Sequence, residues 1–217
     1  MLVFVHIPKA AGTTLHHVLK RAVGARKSMH AGKSYETKAL REMPPHKAQK
    51  FKLISAHMIQ PELEKICGKK AEYVTVTRDP VDRFISLYYF ILSQPQHEQY
   101  SLYCEMSFEQ FLEKYETDKE LFFINCQARY LCGENSSQKA IDYIENKFLL
   151  TAPIEKFDQF IWNLFAIKKW VPILFDTSNK NQARPDIGEI SDDIKERIRY
   201  LFQEDALIHQ YMMSKYK

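Results

Sequence analysis

The sequence predicts an α/β fold in which helices flank a parallel sheet and the middle section of the chain is helical. Short runs of apolar and β-branched residues alternate with segments in which apolar residues recur at helical spacing. The run Tyr73–Thr77 consists almost entirely of strand-forming residues, as expected for a parallel strand that is buried on both faces. Ligands are therefore expected at the carboxyl ends of the strands, where the loops to the helices begin.

The first strand–loop–helix unit opens the chain and favours a phosphate ligand. The apolar run Leu2–Val5 predicts a strand, and the loop that follows it carries one lysine, Lys9. Thr13 and Thr14 open an amphipathic helix, which we expect to end at Gly24. Unpaired backbone N–H groups and the positive end of the helix dipole converge at such a helix start, and a phosphate binds there.

The next segment, residues 25–50, is rich in lysine and arginine and contains the pair Pro44-Pro45. This composition predicts an irregular, mobile segment with one helical turn near Thr37–Arg41. Two interpretations stay open at this point. A solvated surface loop is the simpler one, and a lip over a negatively charged ligand is the functional one.

The remaining elements continue the alternation of strand and helix. Phe51–Ala56 predicts a second strand, which ends at His57. After the third strand, Tyr73–Thr77, Asp79 is suited to cap a helix whose first position holds Pro80. Further helices are predicted from residue 61 to 68, from Ser107, over 121–131, from Ser137, over 156–168 and from Ser191, and further strands over 148–152 and 171–175.

Length and composition limit the possible classes of protein. The 217 residues predict a single domain that spans 1–217, and the 45% of hydrophobic residues indicate a globular chain. The formal net charge of +4 suits anionic ligands, but it lacks the strong basic excess of a dedicated nucleic-acid-binding protein. We therefore expect no nucleic-acid partner.

The cysteines indicate the redox compartment, and the lengths of the apolar runs indicate whether a membrane-spanning segment is expected. Cys67, Cys104, Cys126 and Cys132 form neither a CxxC pair nor a zinc-binding spacing, so buried free thiols in a reducing compartment are favoured, with a Cys126–Cys132 disulfide left open. No signal-peptide pattern and no apolar run of about 20 residues occur, and a transmembrane segment is therefore not expected in this chain.

The first loop differs from the Walker A motif, GxxxxGK(S/T), in which lysine directly precedes the serine or threonine of the helix start. Here Lys9 comes earlier, and Gly12-Thr13-Thr14 occupies the helix start. The two threonines, with the N–H groups of Ala11 and Gly12, are expected to bind a terminal phosphate, while Lys9 neutralises a leaving oxygen. No acidic residue suited to hold Mg²⁺ is evident in the second or third strand, which disfavours a nucleotide hydrolase or kinase without excluding it.

A second phosphate-binding position is predicted at Arg78 and Ser86. Arg78 follows the third strand and stays at the carboxyl edge of the sheet, and Ser86 lies in the second turn of the next helix, off its apolar face. A guanidinium and a hydroxyl together suit a phosphate group. Two such positions on adjacent units imply a ligand with phosphates at both ends, such as a nucleoside 3′,5′-bisphosphate.

Three stretches of the chain carry a resemblance to a known family. The stretch His6–Thr14, HIPKAAGTT, resembles the 5′-phosphosulfate loop of Golgi-type carbohydrate sulfotransferases, in which threonine is usual at the position of Ala10. Thr77–Tyr89 resembles their 3′-phosphate motif. Asn125–Gly133 resembles a further helix of the heparan-sulfate 2-O-sulfotransferase branch and its bacterial relatives. At Ala10 the departure from the family pattern removes one hydroxyl contact.

The resemblance implies a P-loop-NTPase-like fold and 3′-phosphoadenosine 5′-phosphosulfate (PAPS) as co-substrate, with no metal ion. It also implies a hydroxyl group of a carbohydrate as acceptor, and the basic segment 25–50 favours an acidic one. Lys180 and Arg184 lie in a late polar loop that closes over the nucleotide in relatives. A bacterial-type chain that is complete is expected in the cytoplasm, whereas a piece of a longer chain would be a lumenal catalytic domain without its membrane anchor.

Sulfuryl transfer requires a base for the acceptor hydroxyl, charge neutralisation at the leaving phosphate and alignment of both groups. His57 ends the second strand on the same edge as Lys9 and Arg78, and its unperturbed pKa is near neutrality. The 2-O-sulfotransferase branch uses a histidine at the matching position as base, which favours His57 for this role. His6 also ends a strand, and it is either a rival base or a support for the loop.

Other functions and other pairings stay open. A small-molecule kinase would require Mg²⁺ and ATP, and a non-catalytic carbohydrate-binding protein on the same fold would tolerate loss of its catalytic residues. Arg83 is expected either to pair with Asp79 or Asp82 or to belong to the site. His16 and His17 are expected on a helix surface.

Overall fold

The computed structural model describes residues 1–118, 121, 123–174, 185 and 187–216. Over these residues it contains one parallel sheet with the strand order β2-β3-β1-β4-β5. The strands are β1 (Leu2–Val5), β2 (Ser28–Ala31), β3 (Leu53–Ala56), β4 (Glu72–Thr77) and β5 (Phe148–Pro153). The predicted α/β class with a parallel sheet flanked by helices is confirmed.

The helices lie between the strands and after them. The α-helices are α1 (Gly12–Val23), α2 (Ser34–Arg41), α3 (Pro45–Ala48), α4 (Gln60–Cys67), α5 (Pro80–Leu92), α6 (Tyr100–Tyr103), α7 (Phe108–Thr117), α8 (Cys126–Cys132), α9 (Ser137–Lys147), α10 (Phe157–Lys168), α11 (Asp192–Leu201) and α12 (Gln203–Lys215). Short 3₁₀ helices occur at Ala25–Lys27, Ile154–Lys156 and Ile187–Glu189. The run from α6 to α9 confirms that the middle of the chain is helical.

Strand β1 lies at the centre of the sheet and decides where the site forms. Its neighbours are β3 on one side and β4 on the other, so the loop after β1 begins between the carboxyl ends of both. In open parallel sheets a crevice forms where the chain changes the direction in which it adds strands, and ligands bind there. The register sets Val5 beside Ala56, which brings the residues after β1 next to those after β3.

Both faces of the sheet are covered, as the apolar composition of the strands requires. Side chains alternate along β1: Val3 and Val5 face a core shared with α4, α8, α9 and α12, whereas Leu2 and Phe4 face a core shared with α1 and α10. A third core, built around the fully buried Phe84 of α5, joins the helical middle to α11. These packed faces hold the strand ends in fixed positions.

The prediction of an irregular segment over 25–50 is wrong, although the helical turn expected near Thr37–Arg41 is confirmed as part of a helix. The segment contains the edge strand β2 and the helices α2 and α3. β2 reads Ser-Met-His-Ala, which has little intrinsic strand preference, and it forms because each of its residues pairs with one of β3. Helix α2 is then fixed at its start by Glu36, whose carboxylate accepts from the N–H groups of Gly32 and Lys33 at 2.8 Å.

Several element boundaries also differ from the predictions. The helix expected over 121–131 begins only at Cys126, because Asn125 adopts a left-handed conformation with φ of 48°. The helix expected to be capped by Ser137 is capped by Ser136. The strand expected over 171–175 is absent from its described part, Val171–Leu174. All four cysteines are free, and Cys104 is exposed rather than buried.

None of the described helices is both long enough and apolar enough to span a membrane.

Candidate active site

The loop after β1 forms a tight turn into α1. Lys9 and Ala11 adopt positive φ values of 67° and 57°. Ala11 is the N-cap of α1, yet its side chain caps nothing and the first turn of the helix contains no acidic residue. The first backbone N–H groups of α1 therefore face outward without a negative side chain of this turn, and the positive end of the helix is open to an anion.

Gly12 is required because the start of α1 lies directly against the ring of His6. A Cβ at position 12 would come within 1.8 Å of His6 Nε2. The His6 ring is 6% exposed and stacks on Phe4 with a centroid distance of 5.0 Å. His6 therefore supports the loop between β1 and α1 from below, and burial is the main cause that lowers the pKa of His6 well below the usual value.

His57 lies beside His6 on the neighbouring strand end. The ring centroids are 3.9 Å apart, and the His57 N–H donates to the Ala31 carbonyl at the end of β2. Burial, followed by the charges of His30 and Lys9, lowers the pKa of His57 to about 4. The imidazole is consequently neutral at physiological pH and has a lone pair with which to accept a proton.

Two further histidines complete a cluster that the sequence did not predict. His30 on β2 and His16 on α1 have ring centroids 4.3 Å apart, and His30 is 5.7 Å from His6. His16 is 8% exposed and its Nδ1 lies 3.0 Å from Ser55 Oγ, so its expected place on the helix surface is wrong. His30 could have been placed at this edge from the sequence only if β2 had been predicted as a strand.

The clustered histidines raise the question of a metal ion. Among the described residues, no group of three or more histidine, cysteine, aspartate or glutamate side chains is arranged to hold one.

Lys9 is oriented towards α5. Its ammonium lies 3.6 Å from the centroid of the Phe90 ring, a cation–π contact. Its backbone carbonyl accepts a hydrogen bond of 2.8 Å from Arg78 Nη1. Sequence reasoning missed Phe90 as a partner of Lys9, because the contact joins residues that are far apart along the chain.

Arg78 links the two loops that were predicted to bind phosphate. Besides its bond to Lys9, its Nε donates to Asp82 at 2.5 Å. Burial lowers the pKa of Arg78 to about 10, so the guanidinium stays charged at neutral pH. Arg83 does not belong to the site, and its expected pairing with Asp79 or Asp82 is wrong.

Arg83 lies instead in a buried polar network behind the site. Its side chain is fully buried, donates to the Phe123 carbonyl at 2.9 Å and lies 3.9 Å from the carboxylate of Asp205 on α12. Asp79 caps α5 as predicted, accepting from the N–H groups of Val81 and Asp82. The turn after β4 is therefore held by local caps and by distant buried partners.

Three other predicted residues lie on the helices that follow β1 and β4. Thr13 is exposed and Thr14 is half-buried at the start of α1. Ser86 is half-buried on α5. Lys180 and Arg184 lie outside the described residues.

Comparison with known proteins shows the family of the chain. A model of the sulfotransferase family matches residues 1–212. The chain belongs to the sulfotransferase family. The structure is similar to the crystal structure of a sulfotransferase from Alicyclobacillus acidocaldarius, with a TM-score of 0.56 and 15% sequence identity over 97% of this chain and 95% of that one. No curated protein sequence matches the chain.

These findings agree with the resemblance seen in the sequence motifs. This sulfotransferase is a transferase enzyme whose family generally uses PAPS as sulfuryl donor. The likeness to the Alicyclobacillus structure supports the P-loop-like α/β fold. The uncapped start of α1 and the charged guanidinium of Arg78 fit the two anionic ends of such a donor.

Proposed function

We propose that this sulfotransferase moves a sulfuryl group from PAPS to a hydroxyl group of a carbohydrate acceptor. The observation that carries the proposal is the hydrogen bond from Arg78 Nη1 to the Lys9 carbonyl. Through this bond the loop expected to bind the 5′ end of the donor adjoins the loop expected to bind its 3′-phosphate. His57, a neutral imidazole, follows the neighbouring strand at the same sheet edge.

The donor-binding residues that we propose come from three segments. They are Lys9, Ala11, Gly12, Thr13 and Thr14 for the 5′ end, Arg78 and Ser86 for the 3′-phosphate, and Lys180 and Arg184 from the late loop. Backbone N–H groups without a capping side chain, the guanidinium of Arg78 and the hydroxyl of Ser86 suit phosphate oxygens, which supports the first two groups. The donor itself supplies a sulfuryl group attached to a phosphate leaving group.

His57 and Lys9 divide the chemistry between them. The neutral imidazole of His57 accepts the proton of the acceptor hydroxyl as the oxygen attacks sulfur. Lys9 carries the positive charge that neutralises the departing phosphate, and the same loop offers backbone N–H groups for this purpose. We assign the supporting role to His6, because its ring is buried beneath Gly12 and less accessible than that of His57.

A carbohydrate acceptor, in particular an acidic one, fits the surface that follows β2. Tyr35 is 65% exposed at the start of α2, and the Lys33 ammonium lies 5.9 Å from its ring. Both residues follow the carboxyl end of β2, which is the edge that carries His57. An exposed aromatic ring stacks on a sugar, and an adjacent ammonium attracts a carboxylate or sulfate group.

A radiolabelled sulfate-transfer screen over classes of glycan tests the proposal. We expect transfer from PAPS to a carbohydrate by the wild-type protein and a loss of at least about 100-fold in kcat for His57→Ala. His17→Ala is the matched control, because His17 is an exposed histidine on α1 and should leave turnover unchanged. Near-wild-type turnover of His57→Ala would remove His57 as the base.

Thermal stability separates this function from a kinase. 3′-Phosphoadenosine 5′-phosphate (PAP), the desulfated product of the donor, should raise the Tm of the protein because it binds only the folded state. Stabilisation by ATP with Mg²⁺ but not by PAP would overturn the assignment of the donor.

A further inference from the structure

We propose that Gln127 is a positioning residue for the 3′-phosphate, acting through the backbone of Arg78. The inference rests on the proposed function, because it takes Arg78 as the residue that binds this phosphate. It also gives a physical role to the third sequence motif, Asn125–Gly133, which the proposed chemistry does not otherwise use.

Arg78 is held by a buried side-chain amide after its strand has ended. β4 ends at Thr77, which still pairs with Pro153 of β5. Beyond it, the side-chain amide of Gln127 takes the place of a neighbouring strand. Its Oε1 accepts from the Arg78 N–H at 2.9 Å and its Nε2 donates to the Arg78 carbonyl at 2.8 Å. One amide therefore satisfies both backbone groups of the residue.

Gln127 is itself held in place by buried contacts between α8 and α12. Its side chain is fully buried, and it lies in the first turn of α8. The carboxylate of Asp205 accepts from the N–H groups of Gln127 and Ala128, at 3.3 and 2.9 Å. Asn125 Oδ1 in turn accepts from the Asp205 N–H. These bonds fix the start of α8 to α12, and they thereby hold Gln127 in position beside Arg78.

The position of the Arg78 guanidinium depends on its backbone. Arg78 reaches both Asp82 and the Lys9 carbonyl, and these two bonds hold only while the backbone of Arg78 stays in place. Without the Gln127 amide, the N–H and carbonyl of Arg78 lose their partners, and the backbone shifts to find new ones. The guanidinium then moves relative to the phosphate loop, and recognition of the 3′-phosphate weakens.

Calorimetric binding of PAP and of AMP, which lacks the 3′-phosphate, tests the inference. Wild-type protein should bind PAP more tightly than AMP. Gln127→Leu should reduce that ratio by about tenfold or more, because a charge-assisted contact is misplaced, while the Kd for AMP changes by less than about twofold. In the Arg78→Ala background, Gln127→Leu should produce no further change in the ratio.

Two more variants guard against a general loss of structure. Gln127→Glu preserves the size of the side chain and the acceptor for the Arg78 N–H, but it removes the amide donor to the Arg78 carbonyl. It should therefore give a preference for PAP over AMP between those of the wild type and Gln127→Leu. It replaces Gln127→Leu in the test if that variant does not fold. Gln60→Leu is the matched control, since Gln60 is also fully buried on a helix but bonds to Glu64 of that helix. It should leave the ratio unchanged.

The outcomes separate the inference from the function on which it rests. Equal binding of PAP and AMP by the wild-type protein would overturn the proposed 3′-phosphate site. A wild-type preference for PAP that persists in both Gln127 variants would overturn the positioning role alone. A parallel loss of PAP and AMP binding in those variants would also overturn it, because the residue would then act only on the fold.

Discussion

Acidification should destabilise this protein through His57, and the size of the effect follows from its burial. The folded-state pKa is about 4, whereas an imidazole in an unfolded chain titrates near 6.5. The unfolded state therefore binds the proton more readily. The stability contribution is fully present above about pH 6.5, declines as the pH falls towards about 4 and is lost below it. Between about pH 7.5 and 5 the loss from His57 is about 2 kcal/mol.

Urea denaturation followed by circular dichroism at several pH values measures this loss. His57→Gln removes the titrating group, so the variant should lose about 2 kcal/mol less than the wild type over the same pH interval. Burial also lowers the pKa values of His6, His16 and His30, and the difference between the two proteins cancels the contributions of His16 and His30. The contribution of His6 changes with the variant, because the charge of His57 also lowers the pKa of His6. These three histidines make the total acid destabilisation larger than the share of His57.

His46→Gln is the matched control for this titration. His46 is a solvent-exposed histidine of α3, outside the cluster, so its replacement should leave the pH dependence as in the wild type. The reasoning would be refuted if wild type and His57→Gln lost the same free energy of unfolding, within about 0.5 kcal/mol, over this interval.

Three further predictions concern the loop, its lysine and the buried ion pair. Gly12→Ala should raise the Kd for PAP at least about tenfold in calorimetry, because the new Cβ would lie 1.8 Å from His6 Nε2. A second change, His6→Ala, should recover part of the affinity, and a double variant without recovery would contradict the packing argument. Phe90→Leu should lower kcat about two- to fivefold in the sulfate-transfer assay, because it removes the cation–π contact with Lys9. Phe90→Tyr keeps an aromatic ring and should leave kcat unchanged, and equal effects of both changes would contradict a role for the contact. Asp205→Asn should lower the free energy of unfolding by about 3 kcal/mol in urea denaturation, because it leaves the buried guanidinium of Arg83 without its counter-ion. A change below about 1 kcal/mol would contradict this account.

Local chemistry explains why the central part of the candidate site could be located from the sequence. The order of strand, lysine-bearing loop and helix start is contained in fourteen consecutive residues, and hydrophobic period and turn residues reveal such units directly. The same holds for β4 and α5, where Asp79 and Pro80 mark the helix start. Parallel strands then bring His57 and Arg78 to the edge that carries Lys9, because their carboxyl ends share one side of the sheet.

The parts that were wrong or missed depend on partners far along the chain. β2 becomes a strand because β3 pairs with it, and this pairing carries His30 to the histidine cluster. Arg83 was assigned to neighbours on its own helix, whereas its carboxylate partner, Asp205, lies on α12. Neither contact leaves a periodic signal in the sequence, since each joins segments that meet only after the sheet and its helices have packed.

The sequence by itself thus determined the α/β class, the first strand–loop–helix unit and the relation to sulfotransferases, because short-range patterns encode those features. Only the tertiary structure decided that His6 supports the loop, that Phe90 contacts Lys9 and that Gln127 holds Arg78. Each of these contacts requires two elements to approach within a few ångströms, and close packing of the whole domain, rather than local preference, sets that approach.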